Sequence, residues 1–204
     1  PVPVPLAVSD ARVEEVRGEA FISDIWTVSP KLTVEAGFNF EISQISQTGD
    51  QQKERSFRYP KPRASATYAW GPRNTLRVSL ARDVAQLDFA EFSSAIDFLN
   101  TSSIQGNPDL KPETAWKSRV EWDTRFGPRA ALTVALFADL VQDVHDLVVI
   151  GGLDAYGNIG DGERAGVEVR ASTPLGMIGL PNSEVRFSGL YQQTRVTDPV
   201  TGED

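Results

Sequence analysis

Apolar and polar residues alternate along most of this chain. Between Leu32 and Ser43 the apolar positions Leu32, Val34, Ala36, Phe38, Phe40 and Ile42 are interleaved with Thr33, Glu35, Gly37, Asn39, Glu41 and Ser43. Successive side chains of a strand point to opposite faces, so this pattern predicts a strand with one apolar and one polar face. The segment after Pro112 repeats it. Trp116, Val120, Trp122 and Phe126 share one face with Ser118 and Thr124, while Lys117, Arg119, Glu121, Asp123 and Arg125 share the other. A row of charges in alternate positions cannot be a core face. The same reading predicts eight strands, over residues 12–28, 31–45, 58–70, 74–83, 113–126, 129–149, 163–173 and 184–197. The best helical spacing lies within 86–99 (Gln86, Leu87, Phe89, Phe92, Ile96, Leu99) and suffices for a turn or two.

Two properties of these strands narrow the fold class. They are long: most exceed the about 5–6 residues usual in globular proteins and reach the about 9–11 that a tilted membrane-crossing strand needs. Their connections also alternate. Those at Ser29-Pro30, Gly71-Pro72-Arg73 and Gly127-Pro128 are tight, those at 46–57, 84–112 and 150–162 are long and polar, and 174–183 is intermediate. An up-and-down meander puts alternate connections at opposite ends, so one end is trimmed and the other carries large loops, as in outer-membrane barrels. Trp26, Trp70 and Phe126 each lie beside a short connection, where an interfacial aromatic girdle would stand. The same rings would equally cap the ends of a soluble sheet. Trp70-Gly71-Pro72-Arg73 and Phe126-Gly127-Pro128-Arg129 form a small internal echo of two hairpin turns.

Composition removes several functions. The 204 residues contain no Cys and one His, and 20 Lys+Arg against 28 Asp+Glu give a net charge of −8. Thiolate nucleophiles, disulfides and Cys-based zinc sites are excluded. So is any site that needs two imidazoles. An acidic chain without a basic run is a poor nucleic-acid binder. No stretch approaches the roughly 18 apolar residues of a spanning helix. The start, Pro1-Val2-Pro3-Val4-Pro5, lacks a basic region before an apolar one. The chain therefore reads as a cytosolic protein, a mature form or an internal piece of something longer, and the last is the expectation adopted.

The most specific text is Gly106-Asn107-Pro108-Asp109-Leu110-Lys111-Pro112-Glu113. Asn-Pro starts a turn, each proline holds its predecessor extended, and Glu113 opens the next strand. This is a rigid re-entry from a long loop, without a catalytic constellation. The block resembles the GNPDLKPE-like hallmark in the barrel of TonB-dependent outer-membrane receptors. Other pieces follow in family order: Pro62-Arg63 with Tyr68, Leu76-Arg77 through Arg82, Phe137 to Asp146 with Leu147-Val148-Val149, and Asn158-Ile159-Gly160 before Gly166-Val167-Glu168. The likeness covers roughly residues 30–195. One departure is Asp83-Val84-Ala85-Gln86-Leu87-Asp88-Phe89, where many members carry a proline.

The resemblance implies an all-β, antiparallel up-and-down meander that is part of a large transmembrane β-barrel. Such barrels have about 22 strands around a plug, so residues 1–204 are expected to be a partial barrel domain with the plug absent. It further implies a receptor in the Gram-negative outer membrane that imports a scarce nutrient such as siderophore-bound iron, cobalamin or an oligosaccharide. The implied partners are outer-membrane lipid, the small-molecule nutrient, and the TonB complex through an N-terminal region outside this chain; no cofactor is implied. Loops 84–112 and 150–162 would lie outside the cell, with Phe89, Phe92, Phe98 and Tyr156 as aromatic ligand platforms. Arg77, Arg119, Glu121 and Asp123 would line the lumen. The balance of Asp88, Glu91, Asp97 and Asp109 against Lys111 disfavours a strongly anionic ligand.

Competing readings are weaker. His145 near Asp139, Asp143 and Asp146 lacks a second imidazole, and a rim histidine accounts for it. Glu121 and Asp123 share a face with Lys117, Arg119 and Arg125, so a salt-bridged wall explains them better than acid–base chemistry. The glycines of 151–162 lack the lysine and following helix of a phosphate loop and the spacing of a calcium loop. The chain is thus not expected to be an enzyme. A soluble β-sandwich binding module, for example for carbohydrate, explains the alternation but not the strand lengths or the loop asymmetry. A complete eight-stranded membrane barrel explains the even count but not the central block.

Overall fold

The two-residue period becomes one large sheet. The computed structural model describes residues 11–49, 52–92, 95–97, 102–127, 129–176, 179–180 and 182–197. In chain order the strands are β1 (Ala11–Ser29), β2 (Leu32–Gly49), β3 (Lys53–Ala69), β4 (Asn74–Val84), β5 (Ala95–Asp97), β6 (Ser102–Gln105), β7 (Thr114–Phe126), β8 (Ala130–Gln142), β9 (His145–Ile150), β10 (Leu153–Asn158), β11 (Gly162–Pro174) and β12 (Glu184–Val196). Eight of them form a sheet in the order β1-β2-β3-β4-β7-β8-β11-β12, and β5-β6-β10-β9 form a second, smaller one. All neighbours in the large sheet are antiparallel. The meander is therefore as expected, and its sheet is open, with β1 and β12 at the margins.

The register sorts most side chains by face. Opposite one another on one face stand Val34 and Ala66, Val78 and Val120, and Val120 and Leu136. The other face carries Glu19 opposite Glu41, Arg77 opposite Glu121, and Arg164 opposite Asp139. Among the described residues no second layer covers the apolar face: Ile22 is 71% exposed, Leu136 58% and Phe187 59%. That overturns the soluble-sandwich alternative, because a sandwich buries this face against a second sheet. Exposed apolar side chains over eight strands need an apolar solvent.

The short turns are built as their residues dictate. Ser29 Oγ accepts from the Lys31 and Leu32 amides at 3.2 and 3.1 Å. Gly71 and Gly127 adopt φ of 129° and 72°, which side chains resist. Trp26 and Phe126, both exposed on the apolar face, stand next to these turns.

Three connections differ from expectation. The predicted loop 46–57 is mostly strand, with β2 and β3 still paired at Gln47 and Lys53. Its polarity on both faces hid the strand period without weakening the ladder. The predicted strand 129–149 breaks at Asp143, a non-glycine residue with φ of 57°. Asp tolerates that conformation, and the continuing apolar residues Leu147, Val148 and Val149 concealed the break. From there β9 leaves the wall and pairs with β10 across Gly151 and Gly152, both at positive φ. The predicted loop 150–162 is thus a hairpin arm. In 84–112, the helical spacing yields a 3₁₀ turn at Phe89–Phe92, followed by β5 and β6.

Placing a charge in the apolar face tests its solvent. Val120→Arg, at the midpoint of β7, is expected to destabilise the bilayer-inserted protein by about 2–4 kcal/mol. Thr75→Arg, on the polar face opposite Asp123, is expected to cost under about 1 kcal/mol. Denaturant unfolding of the lipid-reconstituted protein reads both values.

Candidate functional site

The small sheet and the 3₁₀ turn form a cap at the end of the wall that carries the long connections. Its core is Leu87, Phe92 and Leu110 packed on Ile45 of β2, with Val13, Phe57 and Tyr156 partly buried against them. Val13, Ile45 and Phe57 belong to the polar face of β1–β3, by their register with Gln47, Glu15 and Ser43. The cap is therefore seated over the polar side of the wall.

The Gly106–Glu113 block is the joint that holds it. Asn107 Oδ1 accepts from the Asp109 amide at 2.9 Å, closing a local turn. Asn107 Nδ2 donates to the Tyr156 carbonyl at 2.7 Å. Asp109 pairs with Lys53, and Arg55 donates to the Pro108 and Leu110 carbonyls. Leu110 is fully buried. The Lys111 amide donates to Asn158 Oδ1, and Asn158 Nδ2 returns a bond to the Lys111 carbonyl, both at 2.9 Å. Glu113 accepts from the His145 amide at 2.6 Å. One loop thus ties β3, β9 and β10 together.

Two acids of the cap are tuned by this packing. The hydrogen bond from Lys53 holds Asp109 below the usual carboxylate range. Glu91 is pushed up by burial, against a smaller opposing pull from His145, whose Nδ1 lies 3.9 Å from it. Its Oε2 is buried without a hydrogen-bond partner.

Below the cap the polar face is an ion-pair lattice. Arg119 bridges Glu121 and Glu168, each at 2.8 Å. Arg170 bonds Glu168 at 2.9 Å and approaches Glu121 at 3.6 Å. Arg164 pairs with Asp139, and Lys117 with Asp83 at 2.7 Å. On β1–β3, Lys61 bridges Glu19 and Glu41 at 2.7 Å each, and Arg17 joins Glu15 at 2.8 Å. Phe21, Ile25, Phe137 and Leu190 interrupt this face. Phe137 lies against Gly166, where a Cβ would meet its ring at 2.7 Å.

The expected site residues divide between these two regions. Arg77, Arg119, Glu121 and Asp123 share the polar face; Arg77 donates to Thr67 Oγ1 at 3.2 Å and Asp123 accepts from Thr133. Phe89 is 38% exposed and meets Phe92 edge-on at 6.4 Å between centroids. Phe92 itself is 1% exposed, so it serves packing and offers no open platform. Tyr156 is likewise engaged with the cap core. Phe98 lies outside the described residues. The reading missed Arg55, Phe57 and Tyr59 on the polar face of β3. There Arg55 stands 4.7 Å over the Phe57 ring, and Phe57 stacks on Tyr59 at 5.9 Å. Their alternation with Glu54, Ser56 and Arg58 was the available signal, lost because 46–57 read as loop.

This pattern, an apolar face without a cover and a charged face beneath a folded cap, is that of a membrane-barrel wall. A family model described as TonB dependent receptor-like, beta-barrel, matches residues 3–204. The chain belongs to this family, whose members are outer-membrane transport receptors. No curated protein matches it in sequence. Among solved structures it resembles the FrpB iron transporter from Neisseria meningitidis, with a TM-score of 0.66 and 14% identity over 94% of this chain and 28% of that one. The copper transporter OprC gives 0.68 and 14%, over 88% and 28%. The alcaligin outer-membrane receptor FauA from Bordetella pertussis gives 0.64 and 15%, over 91% and 31%. The chain thus spans less than a third of these structures.

Two outcomes are expected for the cap. Leu110→Ala removes a fully buried side chain and costs about 2–5 kcal/mol of cap stability, read as faster amide exchange in 107–111 and 153–158 with β7 unchanged. Glu91 holds its proton more tightly in the fold than in the unfolded chain. Its contribution is present below its ordinary value of 4.5 and is lost as the pH rises through the raised one. Cap exchange, corrected for intrinsic rate, therefore slows on acidification from neutral pH towards 4.5, and Glu91→Gln loses that dependence.

Proposed function

We propose that this chain forms part of the wall and outer mouth of a receptor that imports a scarce nutrient across the outer membrane, driven by TonB engaging a segment beyond this chain. The supporting observation is that the cap is seated on the charged face, opposite the apolar one. A barrel closing with the apolar face towards lipid encloses the lattice as the wall of its lumen. Arg77, Arg119, Glu121 and Asp123 then face the passage, and the cap stands at its outer entrance. Phe89 is the loop aromatic best placed to meet a ligand, joined by the Arg55–Phe57–Tyr59 row beneath.

The nutrient class is siderophore-bound iron, cobalamin or an oligosaccharide. The cap's acids argue for a ligand that is not strongly anionic, although Asp109 is neutralised by Lys53. The copper transporter among the similar structures adds copper to the panel.

The test is uptake by cells that carry the complete receptor as their only copy. Ferric hydroxamate and catecholate complexes, cobalamin, maltodextrins and copper are supplied in turn. One of them is expected to accumulate in a TonB-dependent manner. Lys53→Ala/Asn107→Ala, which unties the joint, is expected to lower that uptake about tenfold at unchanged surface abundance. Absence of TonB-dependent uptake across the panel, with the receptor folded and surface-exposed, counts against the reading.

A further inference from the structure

The outward, apolar face carries few charges, and the way they are compensated singles out two. Arg12 pairs with Glu14. Glu54 accepts from Gln44. Glu163 meets Arg195 at 3.6 Å. Asp24, near the short turns, accepts from the Ile25 amide at 2.8 Å. Arg58 and Arg82 are different: among the described residues neither contacts a carboxylate. Arg58 stands on this face opposite Ile42 and is exposed. Arg82 follows Leu76, Val78 and Leu80 on the same face of β4, opposite Trp116. Its Nη1 donates to the Pro60 carbonyl at 3.2 Å, and its Nε is buried without a partner. Pro60 lies two positions from Arg58 on the same face, about 7 Å along the strand, so the Arg82 guanidinium reaches the stretch of β3 that carries Arg58.

Their height follows from the strands. Tyr68 and Phe126 stand beside the short turns, at the inner edge of the apolar band. Arg58 is ten positions from Tyr68 on β3, and Trp116 ten positions from Phe126 on β7. At about 3.3 Å per residue this is about 33 Å along the strand, or about 25 Å along a barrel axis for a tilt near 40°. The apolar band of a membrane barrel is about 25 Å tall. Arg58, Arg82 and Trp116 therefore stand where hydrocarbon gives way to headgroups on the cap side. An arginine there that meets no carboxylate among the described residues has the lipid as its nearest source of counter-charge, and a guanidinium matches the oxygens of a phosphate.

We propose that Arg58 and Arg82, flanked by Trp116, form a docking site for the phosphate groups of an anionic lipid of the outer leaflet. The ring packs against the lipid at the interface and the two cations hold its headgroup, fixing β3 and β4 where Arg82 spans them. The site rests on the membrane-wall reading, but it is independent of which nutrient the receptor imports.

The test uses the complete receptor in non-ionic detergent. It is titrated with bis-phosphorylated lipid A, with the same lipid dephosphorylated, and with inorganic phosphate, and bound lipid is counted by native mass spectrometry. The parent protein is expected to bind the phosphorylated lipid at least tenfold more tightly than the dephosphorylated one. Arg58→Gln/Arg82→Gln is expected to lose that preference, and Arg58→Lys/Arg82→Lys to keep most of it. Arg12→Gln/Arg195→Gln, whose charges are already paired, stays within twofold of the parent. Heat-modifiable migration confirms folding; if the double variant fails that check, Arg58→Gln alone, at an exposed position, is expected to lower the preference at least threefold. Equal affinity of the parent for the two lipids, or an undiminished preference in the glutamine variants, overturns the proposal. Displacement of the lipid by millimolar inorganic phosphate overturns the lipid as the occupant and leaves a simple anion site. Lipid binding without any TonB-dependent uptake would sink the transport reading while sparing this one.

Discussion

Everything in this protein depends on the obligation of a backbone in hydrocarbon to pair its own N–H and C=O groups. In oil an unpaired peptide group costs several kcal/mol, and only helices and closed barrels avoid that cost. Here the eight-stranded ladder pairs each interior strand on both sides. With the backbone satisfied, the side chains are free to partition by face, and the register keeps that partition intact from β1 to β12. A slip of one residue in β8 would turn Leu136 inward and Asp139 out to lipid. The marginal strands β1 and β12 each pair on one side only among the described residues. Such edges bind further strands readily.

The same logic explains why the cap sits where it does. Once the strands leave the oil, nothing requires the chain to keep one wall, and β9 departs at Asp143. The cap must then be held by side chains, and the Gly106–Glu113 block supplies them. Its prolines keep the loop from collapsing into a helix, its Asn and Asp make the local turn, and Leu110 anchors it in the buried cluster with Ile45, Leu87 and Phe92. Polar side chains bonded to backbone carbonyls, as in Asn107 to Tyr156 and Asn158 to Lys111, fix position with little dependence on salt. The apolar anchor contributes most of the stability.

The wall was largely legible in the sequence because period two is a direct print of a strand between oil and water. Leu32 to Ile42 and Trp116 to Phe126 needed only that rule. The turns at Gly71 and Gly127 were legible for the same reason, since only glycine enters their φ region cheaply. The cap was not. Residues 46–57 have no apolar face to alternate against, so β2 and β3 lost their signal at the point where they left the hydrocarbon. β9 looked like a continuation of β8 because Leu147 and Val149 keep the alternation while pairing with a different sheet. Phe92 and Phe89 are three positions apart in a loop, and nothing in the text says which is inward; packing on Ile45, a long-range contact, decides it.

The charged face raises a separate question of purpose. Each of its pairs is partly wet, and exposed ion pairs contribute about 0–1 kcal/mol. Stability is therefore a weak reason for so many. A barrel wall that faced its lumen with uncompensated acids would concentrate cations and repel anionic solutes, because a water-filled passage with low-dielectric walls focuses the field. Pairing Glu121 and Glu168 with Arg119 and Arg170 cancels their charge, and Lys61 with Arg17 offsets most of that on Glu15, Glu19 and Glu41, so the surface stays hydrated with a reduced local field. Under the proposed function, charge selection is then left to the few groups at the mouth, Glu91 and the Arg55–Phe57–Tyr59 row. The lattice is, under the proposed function, a wetting layer, and the cap above it is where a ligand is discriminated.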